Sequence, residues 1–186
     1  NFSAPSVVIN ELMYNPAMPL DADGDPNTND DREFVEFYNT TENNIDMSGW
    51  TFSEGINGTL PSGTTIEGLT HLVYGRDSAA FYSKYGEYPD VCCWDSGALG
   101  NSGEKVVIQD ANGVTIDSVD YEDGYSSAEQ ANGWLPSTDG TGPSLERIHP
   151  NLNAASSANV AWGAYTGTDS AGTPGARNST YQDLLV

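Results

Sequence analysis

The residues from Asp21 to Asp31 read Asp-Ala-Asp-Gly-Asp-Pro-Asn-Thr-Asn-Asp-Asp, a run of oxygen donors at alternate positions with a glycine inside. Such a run can wrap a chain around one hard cation, because Ca²⁺ takes six to eight oxygens and flexible loops supply them at spacings of two. Asp21, Asp23 and Asp25 occupy the first, third and fifth places of a loop of the EF type. Asn27 would offer its backbone carbonyl and Asn29 a side-chain or water-mediated contact. The twelfth place holds Arg32 instead of the bidentate Glu of such loops, and the glycine is fourth rather than sixth. Asp30, Asp31 or Glu33 would then have to complete the shell. The same run also reads as a solvated acidic loop, so the sequence leaves a Ca²⁺ site and a plain polar surface both open.

Other carboxylates are less concentrated. Asp117, Asp120, Glu122 and Asp123 follow one another along an extended stretch, where successive side chains alternate faces and only some can converge. Glu11, Glu33 and Glu36 fall on two apolar stretches that can be neighbours, which would place paired carboxylates for acid–base work or simply have them cap turns and pair with arginines. His71 and His149 are the only histidines, and no Gly-x-Ser-x-Gly elbow or phosphate loop occurs. No catalytic residue is therefore assigned. Tyr82, Tyr88, Trp94 and Trp134 lie in stretches where exposed rings would stack on sugar rings, whereas Trp50 and Trp162 read as core. The two cysteines, Cys92 and Cys93, are adjacent; they can be buried thiols, a vicinal disulfide, or a metal or redox pair. Asn-x-Ser/Thr sequons at Asn1, Asn39, Asn57 and Asn178 would matter only in a eukaryotic secretory host.

The elements that must hold these residues are short strands. Residues 7–14, 33–38, 45–52, 70–74 and 144–148 carry apolar, β-branched and aromatic residues between turn signals. In the second of these, Phe34 and Glu36 face opposite to Val35 and Phe37. Residues 104–109 and 114–121 form a hairpin across Asn112-Gly113. One helix is expected over 78–85, capped by Asp77 and ended by Gly86. Strands every eight to twelve residues imply a sandwich or barrel.

Composition agrees. The chain has 186 residues, with 6 Lys+Arg against 27 Asp+Glu and a net charge of −21. That charge opposes binding to nucleic acid or anionic lipid and suits a secreted protein in salty water. No run approaches the ~18 apolar residues of a membrane span.

A set of pieces in order along the chain points further. They are Val8-Ile9-Asn10-Glu11-Leu12-Met13-Tyr14-Asn15-Pro16, Glu33 to Asn39, Met47-Ser48-Gly49-Trp50, Leu60-Pro61-Ser62-Gly63-Thr64-Thr65-Ile66 and Leu99-Gly100-Asn101-Ser102-Gly103-Glu104. Asp139-Gly140-Thr141-Gly142-Pro143-Ser144-Leu145-Glu146 and Gly172-Thr173-Pro174-Gly175-Ala176-Arg177-Asn178 follow. Across residues 7–178 the chain resembles a lamin tail domain of the bacterial secreted type. The resemblance implies an all-β, immunoglobulin-like antiparallel sandwich over 7–178, between a linker or processed end at 1–6 and a tail at 179–186. It implies an accessory or adhesion module, secreted or at the cell surface, beside other domains of a larger protein and with no catalytic residues. With the loop at 21–31 the expectation is a Ca²⁺-stabilised, non-catalytic module that binds a polysaccharide or cell-surface ligand if anything, and not nucleic acid. A carbohydrate-binding module and a fragment of a metal-dependent nuclease or phosphatase are the alternatives.

Overall fold

The computed structural model describes residues 5–17, 31–153, 161–169 and 171–184. In chain order the elements are β1 (Val7–Met13), β2 (Phe34–Asn39), β3 (Ile45–Asp46), β4 (Thr51–Glu54), β5 (Thr65–Ile66), β6 (His71–Gly75), α1 (Ser78–Tyr85), β7 (Val91–Cys92), β8 (Glu104–Gln109), β9 (Thr115–Tyr121), α2 (Ser127–Ala131), a 3-10 turn (Pro136–Thr138), β10 (Leu145–Arg147) and β11 (Trp162–Ala164). A six-stranded sheet runs β11-β10-β1-β2-β6-β7, a three-stranded sheet runs β4-β8-β9, and β3 pairs with β5. All pairs are antiparallel except β6 with β7. Ile9, Leu12, Val35, Phe37, Leu72 and Tyr74 of the large sheet meet Phe52, Val106, Ile108, Val119 and Tyr121 of the smaller one in a single buried cluster. The result is a β-sandwich.

Local chemistry accounts for most boundaries. The Asp77 side chain accepts from the Ala80 N–H, and Gly86 ends α1 in the left-handed region that glycine tolerates without penalty. Phe81 alone of α1 is fully buried, and with Met13, Phe34 and Val73 it seals one end of the outer face of the large sheet. The expected hairpin is β8–β9, with Asp110 Oδ1 accepting from the N–H groups of Asn112 and Val114 to shape its turn. The single strand expected over 45–52 is instead two, β3 and β4. Between them Trp50 donates back to the Met47 carbonyl and Gly49 turns at φ +73°. A second helix, α2, adds to the one expected from the sequence, and its signal is written there. Ser126 and Glu129 form a reciprocal capping box.

Strand β1 contains a bulge. Its register against β2 runs Val8↔Tyr38, Ile9↔Phe37 and then Glu11↔Glu36, so Asn10 is extra. The bulge resets the alternation: Val7 and Ile9 face the core, and so do Leu12 and Tyr14. Backbone groups at the bulge find distant side chains. The Ile9 N–H donates to Asp117 Oδ2 at 2.8 Å. Arg147 Nη1 donates to the Ile9 carbonyl at 3.2 Å and to Asp117 Oδ2 at 2.8 Å. Arg147 Nη2 reaches the Leu152 carbonyl at 2.5 Å. This ion pair joins β9 of one sheet to β10 of the other, with side chains 0% and 9% exposed.

Truncating one partner leaves the other charge buried and unpaired, so Arg147→Ala should lose about 3–5 kcal/mol. Arg147→Met combined with Asp117→Asn should lose less than the two single changes added together, as read from urea midpoints.

Candidate functional site

Asp21, Asp23, Asp25, Asn27, Asn29 and Asp30 of the expected metal loop lie outside the described residues. Its last two members are described, and both turn to the same arginine. Asp31 Oδ1 lies 3.2 Å from Arg76 Nε, and Glu33 Oε1 accepts from Arg76 Nη1 at 2.5 Å. The other Glu33 oxygen accepts from the Leu99 N–H at 2.7 Å, and burial pushes this carboxyl up to about 7. Glu33 is thus a structural anchor between β2 and the 99–104 turn. Among the described residues no three His, Cys, Asp or Glu side chains converge to hold a metal ion.

Of the aromatics expected at a ligand surface, two belong to the core. Trp94 is 6% exposed, packs edge-on against Tyr74 and donates its indole N–H to the Gly97 carbonyl. Trp134 is 4% exposed in the same cluster. Beside Trp94 the Asp95 N–H bonds to the Asn57 carbonyl, and the Trp134 N–H bonds to the Glu129 carbonyl, so local backbone bonds hold both rings against the core. Tyr82 and Tyr88 are exposed and stack on each other with centroids 4.6 Å apart. Cys92 and Cys93 are joined by a disulfide. Of the 117–123 acids, Asp117 is buried against Arg147 while Asp120 is exposed, so they form no common site. Two sequon asparagines are likewise consumed by the fold. Asn39 and Asn178 are buried and donate their side-chain amides to backbone carbonyls.

The carboxylates that do come together are Glu11, Glu36 and Glu146. They are cross-strand partners on β1, β2 and β10, all facing away from the core, and each is 0% exposed. The sequence suggested Glu11 with Glu36. It did not single out Glu146, whose place opposite the core-facing Leu145 was the available signal. What buries them is the loop 171–180. Glu11 Oε1 accepts from the Thr173 N–H at 2.9 Å, and the Thr173 hydroxyl lies 3.0 Å from both Glu11 Oε2 and Glu146 Oε1, which share its one proton. Glu36 Oε2 accepts from the Gly175 N–H at 2.6 Å, and its Oε1 from Asn10 Nδ2 at 2.8 Å. Glu146 Oε2 accepts from the Ser179 hydroxyl and the Thr180 N–H. Asn178 donates to the Asn10 and Arg147 carbonyls. The approach is so close that a Cβ on Gly172 would collide with Glu11 Oε1, and Gly175 adopts φ +78°. Ser179 and Thr180 belong to this packed loop through their bonds to Glu146.

Burial pushes the Glu11 carboxyl up to about 7, with repulsion from Glu146 adding and the Thr173 donors opposing. Burial also raises Glu36 well above the usual carboxylate range, with Glu11 adding to it.

Beyond the three acids the outer face of the sheet opens. A cleft of about 290 Å³ lies between Tyr38 and His71, which are paired across β2 and β6, and the end of the loop at Arg177 and Tyr181. Leu69 and Pro150 form its sides.

The first two thirds of this architecture match a known family, described as Lamin Tail Domain, over residues 1–123. The chain belongs to the lamin tail domain family. Its sandwich is accordingly immunoglobulin-like. This lamin tail domain is also similar to the crystal structure of a DUF4876 family protein from Bacteroides thetaiotaomicron, with a TM-score of 0.50 and 10% identity. That likeness covers 78% of the lamin tail domain chain and 63% of the other, and it concerns the fold. No curated protein matches. Glu146 and the 171–180 loop lie beyond the matched residues, so the acid-anchored loop is described from this lamin tail domain alone.

The raised carboxyls fix the sign of the pH dependence. A carboxyl whose folded pKa exceeds its unfolded value favours the fold below the unfolded value, and that contribution fades as pH rises through the folded one. For Glu11 the window runs from 4.5 to about 7. Unfolding free energy should therefore fall between pH 5 and pH 8 by up to ~1.4 kcal/mol per pH unit for each such group. Glu11→Gln should flatten the profile; an unchanged slope in urea titrations would contradict the assignment.

Proposed function

We propose that this lamin tail domain is a non-catalytic accessory or adhesion module of a larger secreted or cell-surface protein. The observation that carries this reading is the use made of its buried carboxylates. Glu11 and Glu36 have the burial and raised pKa that suit a general acid, and Glu146 is equally buried, yet the oxygens of all three accept from the loop laid over them. A general acid must be within hydrogen-bond reach of the substrate atom it protonates. These side chains instead hold the loop, which is a structural task.

Charge supports the same reading. At −21 the module repels nucleic acid and anionic lipid and remains soluble in salt. The Cys92–Cys93 disulfide fits an oxidising compartment outside the cytosol. No helix among the described residues is long and apolar enough to cross a membrane. Ca²⁺ in the 21–31 loop is part of the proposal and rests on the spacing of Asp21, Asp23 and Asp25. The ion would neutralise a dense acidic run and order it. A second reading, carbohydrate binding, is favoured by the exposed Tyr82–Tyr88 pair, which offers aromatic faces to solvent.

Thermal melting in EDTA and then in millimolar Ca²⁺, Mg²⁺ and Na⁺ tests the metal. Ca²⁺ at about 100 times its dissociation constant should add ~2.7 kcal/mol, and Asp23→Ala should abolish the gain. An equal response to all three salts would reduce the effect to charge screening. Incubation with nucleic acids and phosphate esters in Mg²⁺ or Mn²⁺ should give no turnover; metal-dependent hydrolysis would overturn the non-catalytic reading.

A further inference from the structure

We propose that the cleft between the Tyr38–His71 pair and the end of the 171–180 loop binds one carboxylate-bearing sugar ring, a uronic acid residue of a polysaccharide. The proposal rests on the reading of the chain as a binding module and names the ligand and place. About 290 Å³ is the lower end of small-molecule sites, room for one or two rings. The walls are aromatic. Tyr38 and His71 lie with centroids 4.9 Å apart, and Tyr181 closes the opposite side. Rings of this kind pack against the C–H faces of a pyranose, and the Tyr hydroxyls supply polar tips.

Arg177 selects the charge. The chain has 6 basic residues for 27 acidic ones. Arg76, Arg147 and Lys105 are held by carboxylates, and Arg32 and Lys84 donate to the carbonyls of Ala17 and Asp169. The Arg177 guanidinium carbon sits over the Tyr181 ring, 3.6 Å from its centroid, which holds this exposed cation at the cleft. Its ion-pair partner Asp183 is 3.7 Å away, with side chains 64% and 90% exposed. A pair so exposed is worth little, and a ligand carboxylate held bidentate in the cleft replaces it. Burial holds the His71 imidazole down to about 4, so it stays neutral and Arg177 is the cation the cleft presents.

The rim carries a backbone outlier, in a turn where the Leu69 N–H donates to the Thr41 carbonyl at 2.8 Å. Leu69 has φ +57°, the one non-glycine residue with positive φ among those described, and its side chain is 52% exposed. Asparagine or glycine takes that conformation more easily. An apolar side chain kept there at a cost, beside a cleft, points to use in contact with a ligand.

The test titrates the full ¹⁵N-labelled chain with trigalacturonate and with its fully methyl-esterified form, which differ in charge and by one methyl group per ring. The expected result is amide shifts confined to the strands and turns around Tyr38, Leu69, His71 and Arg177, with the acid bound more tightly than the ester. Arg177→Gln should weaken the acid by about tenfold and leave the ester unchanged. Leu69→Asn should weaken both forms while its melting temperature stays level or rises, which separates contact from folding. Absence of shifts in the cleft at ~10 mM sugar, or equal affinity for acid and ester, overturns the proposal. Shifts at Tyr82 and Tyr88 in place of the cleft overturn it too, while leaving the carbohydrate-binding reading of the module intact. New reducing-end signals during the titration would overturn the non-catalytic reading and, with the cleft shifts present, keep the binding site.

Discussion

The fold hangs on how the bulge in β1 is satisfied. One extra residue, Asn10, turns Leu12 and Tyr14 back into the core after Val7 and Ile9, and this lets the first strand stay buried on both faces. A bulge in so buried a strand would strand polar groups, and unpaired buried N–H and C=O groups are costly. Asp117 takes the Ile9 N–H, Arg147 takes the Ile9 carbonyl, and Asn178 takes the Asn10 carbonyl. The first two of these side chains also form the ion pair between the sheets. One local irregularity thereby determines where two sheets and the C-terminal loop must sit.

The outer face of the large sheet carries a gradient of character along β2. Phe34 lies under α1, Glu36 lies under the loop, and Tyr38 opens to solvent. The middle is the most demanding segment, since it buries three carboxyls side by side. Donors from Thr173, Gly175, Ser179 and Thr180 meet them, and the raised pKa values of Glu11 and Glu36 let protons do the rest. The loop that covers the acids also brings Arg177 and Tyr181 to the cleft, so the integrity of the acid cluster and the shape of the cleft are properties of one segment.

Much of the frame was legible in the sequence. The alternation of Val35 and Phe37 against Phe34 and Glu36, the caps of α1 and the β8–β9 hairpin follow from local rules. What local rules miss is the partner of a buried polar group. Glu36 reads as the solvent side of a strand, and nothing near it shows that a loop almost 140 residues later will cover it. Glu146 and Arg147 look like an ordinary charged pair on a strand, yet one anchors the loop and the other the sheets. Trp94 and Trp134 read as surface aromatics because the connections that carry them show no periodicity. The capping box of α2 was readable and was overshadowed by its short length.

The bonds at the bulge have a consequence for the order of events in time. Ile9 and Asn10 wait for partners 108, 138 and 168 positions further along. During synthesis the first strand therefore emerges long before the groups that satisfy it, and its apolar, edge-forming surface must be tolerated unfinished. Topology of this kind folds slowly, because distant segments must be closed before their contacts reward the closure. The domain locks only when its two ends meet, so a chain truncated before residue 171 would lack the cover of its buried acids and one of the partners of its first strand.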